Sequence, residues 1–109
     1  YRMALVMLKQ ARETDSENWK AWLYSGVSHF MLYEPEAAVQ CLERADELSR
    51  YALKSEIRWY LMQAYLMLGD YNSAEEQYLT LDATGGKYAV KASQLWTTVT
   101  SSQNSARER

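Results

Sequence analysis

Apolar positions along this chain return every three or four residues, the period of a helix, in six stretches: roughly 1–13, 17–33, 35–49, 53–68, 71–83 and 86–100. No stretch shows the two-residue alternation of a strand, so the pattern predicts six helices and an all-α fold. The breaks carry stop and start chemistry. Asp15 and Ser16 stand where they can cap the second helix, and Pro35 falls in a first turn, where a missing N–H costs nothing. Gly69 can end the fourth helix in a left-handed conformation. Asp70, or Asn72 with Glu75 three residues on, can then cap the fifth, which Gly85 and Gly86 end. The last stretch, 101–109, has no apolar face and is predicted to fray.

Helices joined by such short turns pack as antiparallel hairpins, and hairpins in series raise the question of repetition. Sliding the sequence on itself by 36 residues lays His29 on Tyr65, Phe30–Tyr33 on Leu66–Gly69, Ala38 on Ala74 and Leu42 on Tyr78. A shift of 34 lays Ala4, Leu8 and Ala11 on Ala38, Leu42 and Ala45. Small residues therefore recur where helices would touch closely, and large ones where they would fill gaps.

Composition narrows the picture. A chain of 109 residues, 48% hydrophobic and 24% charged with one proline, suits one globular domain that buries roughly 60 to 70% of its unfolded surface. A net charge of −2 lacks the long-range attraction to phosphate on which nucleic-acid binders depend, so nucleic acid is excluded as a partner. The longest apolar run, Met3–Leu8, is far shorter than the roughly 18 residues of a membrane span, so no membrane contact is expected of this segment. One cysteine, Cys41, leaves the redox compartment open. The first residue is Tyr1, with no signal-like lead-in, and any targeting segment is expected to lie outside these residues.

Trp22, Ser25, Gly26 and His29, followed by Ala38, Leu42 and Ala45, form a pattern similar to that of the tetratricopeptide repeat family. A second copy runs through Leu61, Met62, Tyr65, Gly69, Asp70, Tyr71, Ala74 and Tyr78, and Tyr1, Ala4, Leu8 and Ala11 resemble the second helix of an earlier repeat. The resemblance implies a right-handed superhelical array of helix hairpins forming one domain over 1–100. Within it, 1–16 is half a repeat, 17–50 and 53–84 are repeats, and 86–100 is a terminal capping helix. Departures exist: Ser25 stands for the usual leucine and Met62 for the usual glycine, and Arg50 falls where a proline would close the first copy. An irregular turn is expected there.

By that resemblance the chain is a protein-interaction scaffold that takes a peptide or helix of a partner in a concave groove lined by each repeat's first helix. The groove positions are Lys20, Leu23, Tyr24, Val27, Phe30 and Met31, then Glu56, Trp59, Tyr60, Gln63, Leu66 and Met67. Aromatic and methionine side chains are the types that anchor protein contacts. The same residues can instead pack against neighbouring helices, or the last helix can fold back over them. The lysine and asparagine clamp with which some family members hold chaperone tails is missing, because Leu23, Val27 and Tyr60 occupy its places and Trp59 and Gln63 those of the shifted register.

Six consecutive apolar residues from Met3 to Leu8 cover every side of a helix. Met3, Leu5, Val6 and Met7 therefore form an edge that either a missing upstream helix or a second copy of the chain should cover, and the second case makes the chain a self-association module. Residues 56 to 96 more weakly resemble the C-terminal repeats of bacterial membrane-anchored tetratricopeptide proteins, some of them similar to anti-sigma regulators. That likeness implies a tether upstream of Tyr1 and leaves cytoplasmic and periplasmic placement both open.

Catalysis lacks parts. His29 is the single histidine and takes the place of a packing tyrosine, and Cys41 has no histidine at helical spacing. Glu43, Asp46 and Glu47, like Glu75 and Glu76, read as solvated helix faces rather than calcium ligands. Neither an enzyme nor a metal or cofactor site is expected.

Overall fold

The computed structural model describes residues 1–49 and 53–108. They form six helices and, among the described residues, no strand: α1 (Arg2–Thr14), α2 (Trp19–Met31), α3 (Pro35–Leu48), α4 (Lys54–Leu68), α5 (Tyr71–Thr84) and α6 (Lys87–Glu108). Each helix packs against the next, giving an array of consecutive hairpins. The array is elongated, 52 × 27 × 19 Å with a radius of gyration of 14.8 Å, where a compact domain of this length has about 13 Å. No helix among the described residues is long and apolar enough to cross a membrane.

Local chemistry explains most boundaries. Pro35 opens α3, and Gly69 ends α4 at φ 75°. Asp70 rather than Asn72 caps α5, its carboxylate accepting from the Ser73 N–H at 3.1 Å. The cap of α2 differs from expectation. It is Asn18, whose side chain accepts from the Ala21 N–H at 3.2 Å, while Asp15 accepts from the Glu17 N–H and closes a turn one step earlier. The two side chains divide the loop between them, because a side-chain oxygen caps only the two or three residues that follow it. The α6 helix runs through Glu108, past position 100 and along the stretch expected to fray. No glycine or proline follows Gly86 to stop it. The turn expected at Arg50 lies outside the described residues.

Repetition is visible in the backbone. At the end of α4 the Asp70 N–H bonds to the Tyr65 carbonyl at 3.0 Å, and at the end of α2 the Glu34 N–H bonds to the His29 carbonyl at 2.9 Å. The two closures lie 36 residues apart and both place a left-handed residue between helix and turn, Gly69 in one and Tyr33 (φ 60°) in the other. A tyrosine there bears a steric penalty of about 1–2 kcal/mol that glycine does not. Tyr33 is 82% exposed, so little packing offsets the penalty. Tyr33→Gly is therefore expected to raise stability by about 1 kcal/mol, seen as a thermal midpoint several degrees higher. An unchanged or lower midpoint would refute this account of the turn.

The core has two parts. Leu23, Ala38, Val39, Leu42, Ala45, Ile57, Leu61 and Ala64 fill the space between α2, α3 and α4. Met62, Ala74, Leu81 and Ala92 fill that between α4, α5 and α6. Tyr65 packs against both and donates its hydroxyl hydrogen bond to Glu43. Small residues sit where helices meet: Ala38, Ala64 and Ala74 are fully buried, and Gly26 lies so close to Leu42 that a Cβ would stand 2.6 Å from Leu42 Cγ.

Candidate functional site

Even-numbered helices converge and odd-numbered ones do not. The backbones of α2 and α4, and of α4 and α6, approach closely, whereas among the described residues those of α1 and α3, and of α3 and α5, do not. An array that closes up on one side curves towards it, so α2, α4 and α6 line the concave face. Aromatic pairs make the approach: Phe30 meets Tyr60 edge to face with centroids 5.8 Å apart, and Trp59 meets Tyr88 at 6.5 Å. The α6 helix stands beside α4 and, among the described residues, does not approach α2, so it adds a third wall without crossing the Tyr24 end of the face.

Tyr24, Met31 and Met67 are exposed on this side, Tyr24 to 53%. Tyr24 and Met31 are seven residues apart on α2, as Tyr60 and Met67 are on α4, so each pair shares one stripe of its helix. Lys20 is exposed, its ammonium 5.8 Å from the Trp19 ring centroid. Val27, Phe30, Glu56, Trp59, Tyr60, Gln63 and Leu66 are half-buried. Tyr60 packs on the first core cluster and Trp59 on the second, so both have structural duties. Burial raises the pKa of the Tyr60 hydroxyl, with Glu56 adding to the effect. Gln63 turns back to donate to the Trp59 carbonyl at 3.3 Å.

Leu23 does not belong to the groove. It is 1% exposed and sits in the core. Three residues before Gly26, it shares the helix stripe that abuts Leu42, and that stripe faces α3 rather than the concave side. The sequence reading also missed Tyr88, whose ring lies against Trp59 with Lys87 and Lys91 at 5.1 and 5.4 Å. An aromatic in the first turn of the helix after the second repeat was the available signal. Tyr88 also borders a recess of about 420 Å³ with Leu53, Lys54, Ser55, Glu56 and Thr84.

At the other end, Met3 (81%), Val6 (59%) and Met7 (70%) are exposed, but Leu5 is buried against the rest of the fold and is not part of the edge. A helix presents one side to its neighbour, and Leu5 is on that side of α1. Three further ties hold α1. Arg2 bonds Glu34 at 2.8 Å, Arg12 donates to Cys41 Sγ at 3.4 Å, and the Arg12 guanidinium lies 4.6 Å from the Trp22 ring centroid.

His29 and Cys41 point to separate partners. His29 Nδ1 donates to Glu34 Oε1 at 3.0 Å, and this bond, with Arg2 second, holds the Glu34 carboxyl below its ordinary range. Cys41 is buried, which raises its thiol pKa against the smaller opposing pull of Arg12. Among the described residues no group of three or more His, Cys, Asp and Glu side chains is placed to hold a metal ion. In comparison with known proteins, no protein-family model matches the chain, and no curated protein is significantly similar to it in sequence.

Proposed function

We propose that this chain is a tetratricopeptide-like interaction scaffold that binds a peptide or helix of a partner protein along the face of α2, α4 and α6. The observation that carries the reading is the convergence of these three helices on a face where Tyr24, Met31 and Met67 remain exposed. Aromatic side chains supply large rigid contact area and methionines adapt to irregular partners, so the pair suits recognition of an apolar segment. Binding, not bond-making, is the activity, and no cofactor takes part.

The test is selection of a displayed peptide library on the chain, followed by affinity measurements on variants. Met31→Lys combined with Met67→Lys is expected to weaken selected peptides at least about tenfold, a loss of about 1.4 kcal/mol. Leu79→Lys, at an exposed position on α5, is expected to leave them unchanged. The reverse pattern would sink the reading. A second reading, self-association through α1, draws on the exposure of Met3, Val6 and Met7. Light scattering decides it: a dimer that Met7→Glu converts to monomer favours it, and a monomeric chain refutes it.

A further inference from the structure

A net charge of −2 conceals an uneven distribution. The odd-numbered helices α3 and α5 expose Glu36, Glu43, Glu47, Glu75, Glu76 and Asp82, and the one cation they carry, Arg44, is paired with Glu47 at 3.0 Å. The concave side has the opposite sign. Its stripe on α2 begins with Lys20, four residues before Tyr24, and its stripe on α4 with Glu56, four before Tyr60. On α6 two contacts fix the directions of the neighbouring helices: Tyr88 meets Trp59 of α4, and Trp96 stacks on Tyr78 of α5 at 5.6 Å. At about 100° per residue, Lys87 and Lys91 fall on the flank of Tyr88 away from Trp96, which is the concave one. Lys20, Lys87 and Lys91 are exposed, and among the described residues none of them is paired with a carboxylate. Lys54 and Arg58 share the other side of α4, where Lys54 bonds Asp46 of α3 at 3.1 Å. Met31 and Met67 close the same two stripes eleven residues on. The face thus has a cationic edge at the starts of its helices and an apolar edge at the ends of two of them.

We infer that the concave face takes an acidic segment of a partner polypeptide, with carboxylates at its two ends, facing Lys20 on one wall and Lys87 with Lys91 on the other, and apolar side chains between them. The inference rests on the scaffold reading and names the chemistry of its ligand. Charge complementarity sets the ends. Glu56 sets the middle, because it stands on α4 between the two cationic walls and repels a ligand carboxylate there. Apolar side chains at the centre meet Tyr24, Tyr60 and the two methionines instead. Two steps between neighbouring helices put the end positions about 16–20 Å apart. The lysines meet side-chain carboxylates, so a free chain terminus is not required. A second copy fits this face only in part. Its acidic side brings carboxylates, but α3 exposes no large apolar side chain and α5 only Tyr71 and Leu79. Its apolar Met3, Val6, Met7 and Val90 share α1 and α6 with the exposed cations Arg2, Lys9, Lys87 and Lys91, the wrong sign for this face.

The probe is a library of displayed random peptides, fused at both ends so that no terminus is free, selected at low salt on the full chain. A second selection uses the chain carrying Lys87→Glu with Lys91→Glu, two exposed positions at which circular dichroism should show the fold unchanged. Peptides selected on the unaltered chain are expected to carry Asp or Glu near both ends and none at the centre. Their affinity should fall at least about tenfold on the doubly altered chain, and clearly when salt is raised several-fold. The altered chain should itself select peptides with Lys or Arg at one end, an exchange that mere loss of structure does not produce. Neutral apolar peptides that Met31→Lys with Met67→Lys weakens and the lysine reversal does not would overturn this inference and leave the scaffold reading standing, whereas a selection that yields nothing would sink both. An oligonucleotide that binds as tightly as the selected peptides would also overturn it, as a general attraction for polyanions. So would a dimeric chain that the lysine reversal makes monomeric, an outcome that assigns the face to a second copy.

Discussion

Leu42→Ala is expected to lower stability by about 2–5 kcal/mol, and Gly26→Ala by about 1–3 kcal/mol, with the two together costing less than their sum. Leu42 is fully buried between α2, α3 and α4, so truncation leaves a cavity that three helices cannot all close. At Gly26 the added Cβ would lie 2.6 and 2.8 Å from Leu42 Cγ and Cδ2 and 3.2 Å from its backbone nitrogen. The side chain would have to leave its rotamer and the helices would have to part, which is overpacking. Alanine's better helix propensity returns up to about 1 kcal/mol, which is not enough to change the sign. Removing the Leu42 side chain makes room for the Cβ, so a double-mutant cycle by chemical denaturation should show a favourable coupling of about 1–2 kcal/mol. Strict additivity would show that Gly26 and Leu42 do not define the helix spacing. Against a total of about 5–15 kcal/mol for a domain of this kind, either substitution removes a large share.

Leu81→Ala is expected to cost a similar 2–5 kcal/mol but to be felt in a different place. Leu81 is fully buried in the second cluster, with Met62, Ala74 and Ala92 and without any residue of α2 or α3. In an array where each hairpin touches only its neighbours, loss of one internal contact loosens the nearest unit first. Amide exchange in α5 and α6 should therefore accelerate by a hundredfold or more, while α2 and α3 keep most of their protection. A uniform rise across all six helices would show that the two clusters unfold as one body.

How much of this was legible in the sequence depended on whether the determinant was local. Pro35, Gly69 and Asp70 act on the residues beside them, and the boundaries they set were read correctly. The cap of α2 was misplaced because Asp15, Ser16 and Asn18 are all competent cap residues, and only the folded loop decides among them. Leu23 shows the deeper limit. Its helix is apolar on more than one side, so periodicity alone could not separate the stripe that meets α3 from the one that faces the groove. Tyr88 was missed for the reverse reason: its role depends on Trp59, twenty-nine residues earlier, and no local pattern records that pairing. Repetition was readable at both levels, since the same 36-residue shift that aligns the side chains also aligns the turn hydrogen bonds.

The convergence of α2, α4 and α6 also has a mechanical consequence. Their contacts run along one edge through two aromatic pairs, while among the described residues the odd-numbered helices keep their backbones apart and α1 reaches α3 through the Arg12–Cys41 side-chain bond. Such an assembly bends like a hinged strip, with the Phe30–Tyr60 and Trp59–Tyr88 pairs as its pins. Small sliding of flat rings changes the curvature, and on the odd-numbered side a side-chain tie such as Arg12–Cys41, rather than close backbone packing, opposes splaying. The width of the concave face is thus an adjustable dimension, set by how two pairs of rings slide rather than by rebuilding the core.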